Sequence, residues 1–142
     1  MGQDGSMIVH ASAVAVAGRG LLILGPSGTG KSSLALALMA SGAQLIADDR
    51  TRLICKDGHL IADCPATIRG RIEARHVGLL KAEAAGPVPL VLAVDLGGPL
   101  AERLPRLAER SFLGVSLPLL ATLWAPELAA ALRQALIGGW EP

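Results

Sequence analysis

The amino-terminal half of the chain alternates short apolar runs with glycine-containing breaks. Residues 10–16 (HASAVAV) and 21–24 (LLIL) are mostly apolar and small or branched, which is typical of buried strands. The intervening residues 18–20 (GRG) predict a turn, so we expect the two runs to form a β-hairpin. This hairpin leads directly into a glycine-rich segment.

Further strands are predicted along the rest of the chain. Residues 52–55 and 59–62 flank Lys56-Asp57-Gly58, a common turn sequence, and are expected to form a second hairpin. Apolar runs at residues 44–47, 88–94 and 114–117 predict single strands. Periodicity cannot distinguish a strand from a buried helix in runs this short. We assign them to strands because helices are usually longer.

Three segments are predicted to be helical. Residues 31–40 (KSSLALALMA) are rich in strong helix formers, and Gly42 follows at the position of a helix-ending glycine. Residues 127–137 carry leucines at i, i+4 and i+8, which predicts an amphipathic helix. Residues 101–110 are also expected to be helical. Because helices and strands are mixed along the chain and two hairpins require antiparallel pairing, we predict an α/β fold with a mixed sheet.

Length and composition limit the possible classes of function. The 142 residues are enough for one domain, and we expect residues 1–6 (MGQDGS) to be an expression leader and residues 7–142 to form that domain. With 51% hydrophobic residues, 2% aromatic residues and a net charge of +1, the chain is neither disordered nor built to attract nucleic acid or an anionic membrane. The absence of a long apolar run and of a secretory leader predicts a cytoplasmic protein without a membrane span.

A phosphate-binding motif lies between the first hairpin and the first helix. The sequence G-x-x-x-x-G-K-[ST] is matched without a gap by Gly25, Pro26, Ser27, Gly28, Thr29, Gly30, Lys31 and Ser32. Glycines allow successive backbone N–H groups to converge on phosphate oxygens, and the following helix presents its positive end to them. Lys31 is predicted to reach the terminal phosphates and Ser32 to offer its hydroxyl to Mg²⁺. The segment therefore predicts a nucleotide site.

The motif alone does not name a reaction, because the acceptor group is chosen by other residues. Two sets of carboxylates are candidates. Asp48 and Asp49 follow the strand after the helix and could divide proton transfer and metal support between them. Asp95 ends an apolar run, like the metal-holding aspartate of ordinary P-loop NTPases. A kinase, an NTPase that uses Asp95 and a catalytically silent nucleotide-binding module remain open at this point.

Four elements, in order, resemble the catalytic domain of the bacterial HPr(Ser) kinase/phosphorylase, from about residue 9 to residue 120. They are Ile8-Val9-His10, the loop at residues 25–32, the LIADD run at residues 45–49, and the E-x-R-x-x-G element at residues 73–78. The resemblance implies an HPr kinase/PEP carboxykinase-like fold in a short form that lacks the amino-terminal domain of many members.

This resemblance also implies an activity and its cofactors. Members use ATP and Mg²⁺ to phosphorylate a serine of HPr, a small phosphocarrier protein of the phosphotransferase system, and can run the reverse phosphorolysis. The basic loop that many members carry after the last strand appears here as LPLLAT at residues 117–122, without arginine, so the reverse reaction is left open. The resemblance further implies a homo-oligomer, a hexamer in that family.

Roles for individual residues follow from the same resemblance. Asp48 is expected to take the proton of the acceptor serine, with His10 beside it to share that proton. Asp49 is expected to support the metal and the phosphates, together with Lys31. Ser32 and Glu73 are expected to complete the Mg²⁺ environment. Arg75 is expected to contact the partner protein or a neighbouring subunit.

Overall fold

The computed structural model describes residues 5–97 and 108–140. In these residues the chain forms eleven strands, two α-helices and one short 3₁₀ turn at Ala66–Ile68. The helices are α1 (Lys31–Ala40) and α2 (Leu128–Gly138). The strands are β1 (Ser6–Val9), β2 (Ser12–Val16), β3 (Arg19–Leu24), β4 (Gln44–Ala47), β5 (Thr51–Lys56), β6 (His59–Asp63), β7 (Arg71–Ala74), β8 (Gly78–Lys81), β9 (Val88–Asp95), β10 (Ala108–Phe112) and β11 (Val115–Ala121).

Strand β9 connects the parts of one mixed sheet. Its neighbour on one side is β3, which runs parallel to it, and the order continues through β2 to β4. On its other side, the first residues of β9 pair with β6 and the last residues pair with β11. Strands β7 and β8 form a separate hairpin. The predicted α/β fold with a mixed sheet and hairpins is confirmed.

The direction of the strands places three loops at one edge of the sheet. Strand β2 pairs antiparallel with both β3 and β4, and β9 is parallel to β3, so β3, β4 and β9 all run the same way. Their carboxyl ends therefore meet at the same edge. In open α/β sheets this edge is where ligands bind. The glycine-rich segment follows β3, the aspartate pair follows β4, and Asp95 ends β9.

The central strands are buried on both faces, as the apolar runs predicted. Along β3, Leu22 and Leu24 join a core on one side of the sheet. Leu21 and Ile23 join a second core on the other side, where α1 and α2 pack. Successive side chains of a strand point to opposite faces, as they do here. Because both faces of the sheet are covered, the residues on both faces are apolar.

The two helices end and pack as their sequences predict. Helix α1 ends in a Schellman arrangement, in which the N–H of Gly42 donates to Met39 O and the N–H of Ala43 donates to Leu38 O. Gly42 adopts a φ of 103°, which explains the glycine there. In α2 the three periodic leucines are buried against the sheet and α1. Among the described residues, no helix is long and apolar enough to cross a membrane.

Some sequence-based predictions require correction. Residues 108–110 were expected to end a helix, but they belong to β10, which pairs with β11 across the two-residue turn Leu113-Gly114. Both turn residues have positive φ, which is the geometry of a type I′ hairpin turn and fixes the strand pairing. The remainder of that predicted helix, residues 101–107, lies outside the described residues. Strand β1 begins at Ser6, the last residue of the segment expected to be a leader.

Candidate active site

The glycine-rich segment forms the connection from β3 to α1. Gly30 precedes the helix with a φ of 98°, and Gly25 follows the strand with a φ of 143°. A Cβ at Gly25 would lie 2.8 Å from Thr29 Oγ1 and 3.3 Å from the backbone nitrogen of Gly97, so a side chain there would crowd both neighbours. The loop is therefore packed against the turn that follows β9.

Lys31 lies at the start of α1 and is largely buried. Its ammonium group donates to the carbonyl oxygens of Gly25, at 2.7 Å, and Pro26, at 3.2 Å. These contacts keep the cation inside the loop, at the amino-terminal end of the helix, where anions are stabilised. A cavity of about 270 Å³ opens at this point. It is lined by His10, Ser12, Ser27, Gly28, Gly30, Lys31, Ser32, Ser33, Asp49, Glu73 and Arg75.

Asp48 is buried beneath the cavity and its carboxylate is held by three donors. The hydroxyls of Ser12, at 2.9 Å, and Ser32, at 2.6 Å, both donate to Oδ1. The backbone N–H of Glu73 donates to Oδ2 at 2.9 Å. Only 8% of Asp48 is exposed. A buried carboxylate with three charge-assisted hydrogen bonds is fixed in place, and it orients the Ser32 hydroxyl and strand β7.

Asp49 faces the opposite way, into solvent and the cavity. Its side chain is 63% exposed, and Oδ1 lies 2.6 Å from Nε2 of His10, whose side chain is 55% exposed. The Asp49 backbone has a φ of 71°, and Asp48 O accepts the N–H of Arg50 at 2.8 Å. A hydrogen bond from residue i to i+2 with a positive central φ is a strained γ-turn. His10 is thus the partner of Asp49 rather than of Asp48.

Strand β7 brings Glu73 and Arg75 to the same cavity. Glu73 alternates with the buried Ile72 and Ala74, so its side chain lies on the open face of the strand. Arg75 is the first residue of the turn that follows and is exposed. The hydrogen bond from Glu73 N–H to Asp48 fixes the strand beside the aspartate pair. The hairpin turn that follows holds His76 at a φ of 69°, a conformation that favours glycine.

Asp95 ends β9 near the loop, but its carboxylate is engaged elsewhere. Oδ1 accepts the N–H of Gly97 at 2.8 Å, and Oδ2 accepts a guanidinium N–H of Arg110 at 2.9 Å. Asp95 does not line the cavity described above. This arrangement favours the aspartate pair after β4 over Asp95 as the carboxylates that act with the loop.

Ser12 is a functional candidate that sequence reasoning did not select. It lines the cavity and contacts both aspartates, donating to Asp48 and accepting the N–H of Asp49 at 3.1 Å. The feature of the sequence that could have identified it is a hydroxyl in an otherwise apolar strand.

The cysteines do not line the cavity. Burial raises the pKa of the Cys64 thiol, which keeps that thiol protonated and unreactive.

The oxygen donors around Ser32 suit Mg²⁺ better than a softer metal, because hydroxyl and carboxylate oxygens are its usual protein ligands. Within residues 5–97 and 108–140, no three acidic, histidine or cysteine side chains converge as a complete metal site. Mg²⁺ commonly takes one or two protein ligands together with water and substrate phosphates. Ser32 and Glu73 line the cavity from opposite elements and would be those ligands.

Comparison with known proteins agrees with this geometry. The family model described as HPr Serine kinase C-terminal domain matches residues 4–85, more than half of the chain. The chain belongs to this family. The matched segment contains the loop, the aspartate pair, the His10 position and the Glu73–Arg75 element.

Curated relatives and a solved structure support the same assignment. The HPr kinase/phosphorylase of Lactobacillus acidophilus is 38% identical over 73 residues, and that of Clostridium botulinum is 42% identical over 72 residues. Each match covers 51% of this chain but only 23% and 24%, respectively, of the relative. The structure of the Hpr(Ser) kinase/phosphatase from Coxiella burnetii matches with a TM-score of 0.80 and 25% identity, covering 90% of this chain and 87% of that one. The predicted HPr kinase fold is confirmed.

Proposed function

We propose that this chain transfers the γ-phosphoryl group of ATP to a serine of an HPr-like phosphocarrier protein. The observation that carries the proposal is one cavity lined both by the phosphate-binding loop and by an exposed Asp49–His10 pair. A nucleotide-binding module needs only the loop, whereas a kinase also needs a proton acceptor that an incoming hydroxyl can reach. Family membership supports HPr as the acceptor protein, because the curated relatives are named for it.

The loop would bind the phosphates of ATP through backbone N–H groups and Lys31. The ammonium group already lies inside the loop, bonded to two carbonyl oxygens. When phosphate is present, the same group offers its remaining donor capacity to the terminal oxygens and offsets their charge. When bound, Mg²⁺ supplies further charge neutralisation of the phosphates. Ser32 and Glu73 would hold it, with the Ser32 hydroxyl oriented by Asp48.

In the transfer step, the hydroxyl oxygen of the acceptor serine bonds to the γ-phosphorus of ATP. The bond between that phosphorus and the bridging oxygen breaks, and ADP leaves with the electron pair. The proton of the serine hydroxyl passes to the Asp49 carboxylate, and His10, 2.6 Å away, shares it. Arg75, exposed in the turn after β7 and at the cavity, would contact the acceptor protein or its phosphorylated serine.

The hydrogen bonds favour a division of labour between the aspartates opposite to the one expected from the resemblance. Asp48 already accepts three hydrogen bonds and is 8% exposed, so an acceptor serine has little access to it. Asp49 is exposed and paired with His10. We therefore assign proton transfer to Asp49 and support of the Ser32–metal side to Asp48.

A transfer assay tests the proposal directly. The chain is incubated with ATP, Mg²⁺ and a purified HPr-like carrier, and phosphoserine is located by mass spectrometry. We expect one modified serine, and we expect no modification when that serine of the carrier is replaced by alanine or when the kinase carries K31M. Absence of phosphoserine with the parent chain, or equal transfer by K31M, would contradict the proposal. Light scattering of the same preparation tests the homo-oligomer that the family resemblance implies.

A further inference from the structure

Ser12 begins a strand whose other positions are all apolar. Strand β2 contributes alanines and valines to both cores, whereas Ser12 carries a hydroxyl and is 0% exposed. Burying a hydroxyl costs free energy unless its hydrogen-bonding capacity is used. Ser12 uses it as donor and as acceptor, and both partners are the aspartates of the candidate site.

The geometry makes this hydroxyl a link between the two aspartates. Its proton is donated to Asp48 Oδ1 at 2.9 Å, and its oxygen accepts the N–H of Asp49 at 3.1 Å. The buried carboxylate is therefore tied through one oxygen atom to the backbone of the exposed one. A change of the Asp49 backbone that moves its N–H away from the Asp48 carboxylate would stretch or break one of these two bonds.

The link acts at a strained point of the site. Asp49 is the central residue of the γ-turn, with a φ of 71°. A residue in this conformation persists only where its surroundings fix it, and such strain is often found at functional positions. The bond from Asp49 N–H to Ser12 fixes the turn, and the turn directs the Asp49 carboxylate to His10.

We propose that Ser12 is a positioning residue that holds Asp49 in its strained conformation against His10. This inference rests on the proposed function, because it assumes that Asp49 receives the proton of the acceptor. Without the hydroxyl, Asp49 N–H loses its acceptor and Asp48 loses one of its three donors. The turn relaxes, and the Asp49 carboxylate spends less time against His10. Lys31 keeps its bonds to the carbonyl oxygens of the loop, and Asp48 keeps its bonds from Ser32 and from Glu73 N–H, so we expect the binding of ATP to change little.

Four variants separate positioning from simple stability. S12A removes the hydroxyl, S12C keeps most of the volume with a weak donor and acceptor, and S12T restores the hydroxyl. Thr51 provides the matched control, because it is also 0% exposed and its hydroxyl donates to Ala11 O at 2.9 Å. T51V therefore removes a buried hydroxyl at the start of β5 that makes no hydrogen bond to either aspartate. Thermal unfolding of all four reports the loss of stability.

In the transfer assay, S12A and S12C are expected to lower kcat by about 10- to 100-fold, the range for a misplaced reacting group, while KM for ATP stays within about twofold. S12T is expected to recover most of kcat. T51V is expected to unfold at a lower temperature but to keep the parent kcat. Parent kcat in both S12A and S12C, or an equal loss in T51V, would overturn the positioning role.

A second measurement needs no turnover. The imidazole resonances of His10, assigned by comparison with H10N, report directly on the contact with Asp49. We expect S12A, or S12C if S12A is too unstable, to move these resonances toward their positions in D49N, whereas T51V leaves them in place. If the parent transfers no phosphate, the proposed function fails and these spectra still decide the role of Ser12. Unchanged His10 resonances in both Ser12 variants would overturn it.

Discussion

Two strand ends beside the phosphate-binding loop carry aspartates, and they differ in what those carboxylates can do. At the end of β4, Asp49 is exposed to the cavity and paired with His10, above the buried Asp48. At the end of β9, Asp95 is bonded to Arg110 and to the N–H of Gly97. Both positions are equally suited by topology, because β4 and β9 run in the same direction as β3.

The difference shows that a place at the edge of the sheet does not by itself make an aspartate available for chemistry. The β9 end uses its carboxylate to shape a turn that packs on the loop, which makes it a structural support. The two carboxylates at the end of β4 differ from each other. Asp48 accepts three hydrogen bonds and is buried, whereas Asp49 is exposed to the cavity. Substitutions at the two ends should therefore affect different measurements.

The largest effect is expected from D49N. Asparagine keeps the size of the side chain but cannot accept the serine proton, so kcat for transfer should fall by about 10²- to 10⁴-fold, the usual contribution of a general base. Nucleotide affinity, measured with a fluorescent ATP analogue, should stay near the parent value. A kcat within a few-fold of the parent would remove Asp49 from the proton-transfer step.

D48N should affect metal-dependent binding and stability rather than proton transfer alone. It replaces a buried carboxylate by an amide, which weakens charge-assisted bonds worth about 1.5–3 kcal/mol each, including the one that orients Ser32. We expect a lower unfolding temperature and about a tenfold higher Mg²⁺ concentration for half-maximal nucleotide binding, equivalent to about 1.4 kcal/mol. If D48N instead binds Mg²⁺-nucleotide normally and loses only kcat, the roles of the two aspartates must be exchanged.

The contrast between the strand ends also shows what sequence could predict. The loop was located from sequence because its function lies in a short, continuous pattern of glycines, Lys31 and Ser32 that must connect a strand to a helix. The position of the aspartate pair followed from the same local logic. The hydrogen-bond partners of each aspartate could not be predicted in this way. Ser12 and His10 are far from the pair in sequence and are brought beside it by the pairing of β2 with β4.

Turn geometry explains the elements that were missed. The hairpin at Asp57-Gly58 was predicted because Asp-Gly is a frequent type I′ sequence, and it forms as expected. The turn Leu113-Gly114 has the same positive φ values, but leucine rarely adopts them, so the hairpin of β10 and β11 had no clear signal. Strands β7 and β8 have four residues each, so the alternation of buried and exposed residues in β7 is too short to be distinctive, and β8 is mostly exposed.

G97A tests the structural side of the comparison. A Cβ at this position would lie 2.5 Å from Cδ of Pro26, so the turn after β9 and the loop cannot both keep their places. Overpacking of this kind costs about 1–3 kcal/mol, and we expect about tenfold weaker ATP binding with little change in kcat at saturation. Parent affinity in G97A would show that the β9 turn does not support the loop.

The smallest effect is expected from D95N, and it decides the comparison most directly. Its ion pair with Arg110 is partly exposed, with 42% of the arginine side chain accessible, so its loss should cost less than about 1 kcal/mol of stability. Asparagine can still accept the N–H of Gly97, so the turn is kept. We expect the kcat and the Mg²⁺ dependence of D95N to stay within about twofold of the parent. D49N is measured in parallel as the reference for the loss of a general base, which lowers kcat far more. A loss comparable to that of D49N would mean that the chain works as an ordinary P-loop NTPase with its metal-side carboxylate on β9.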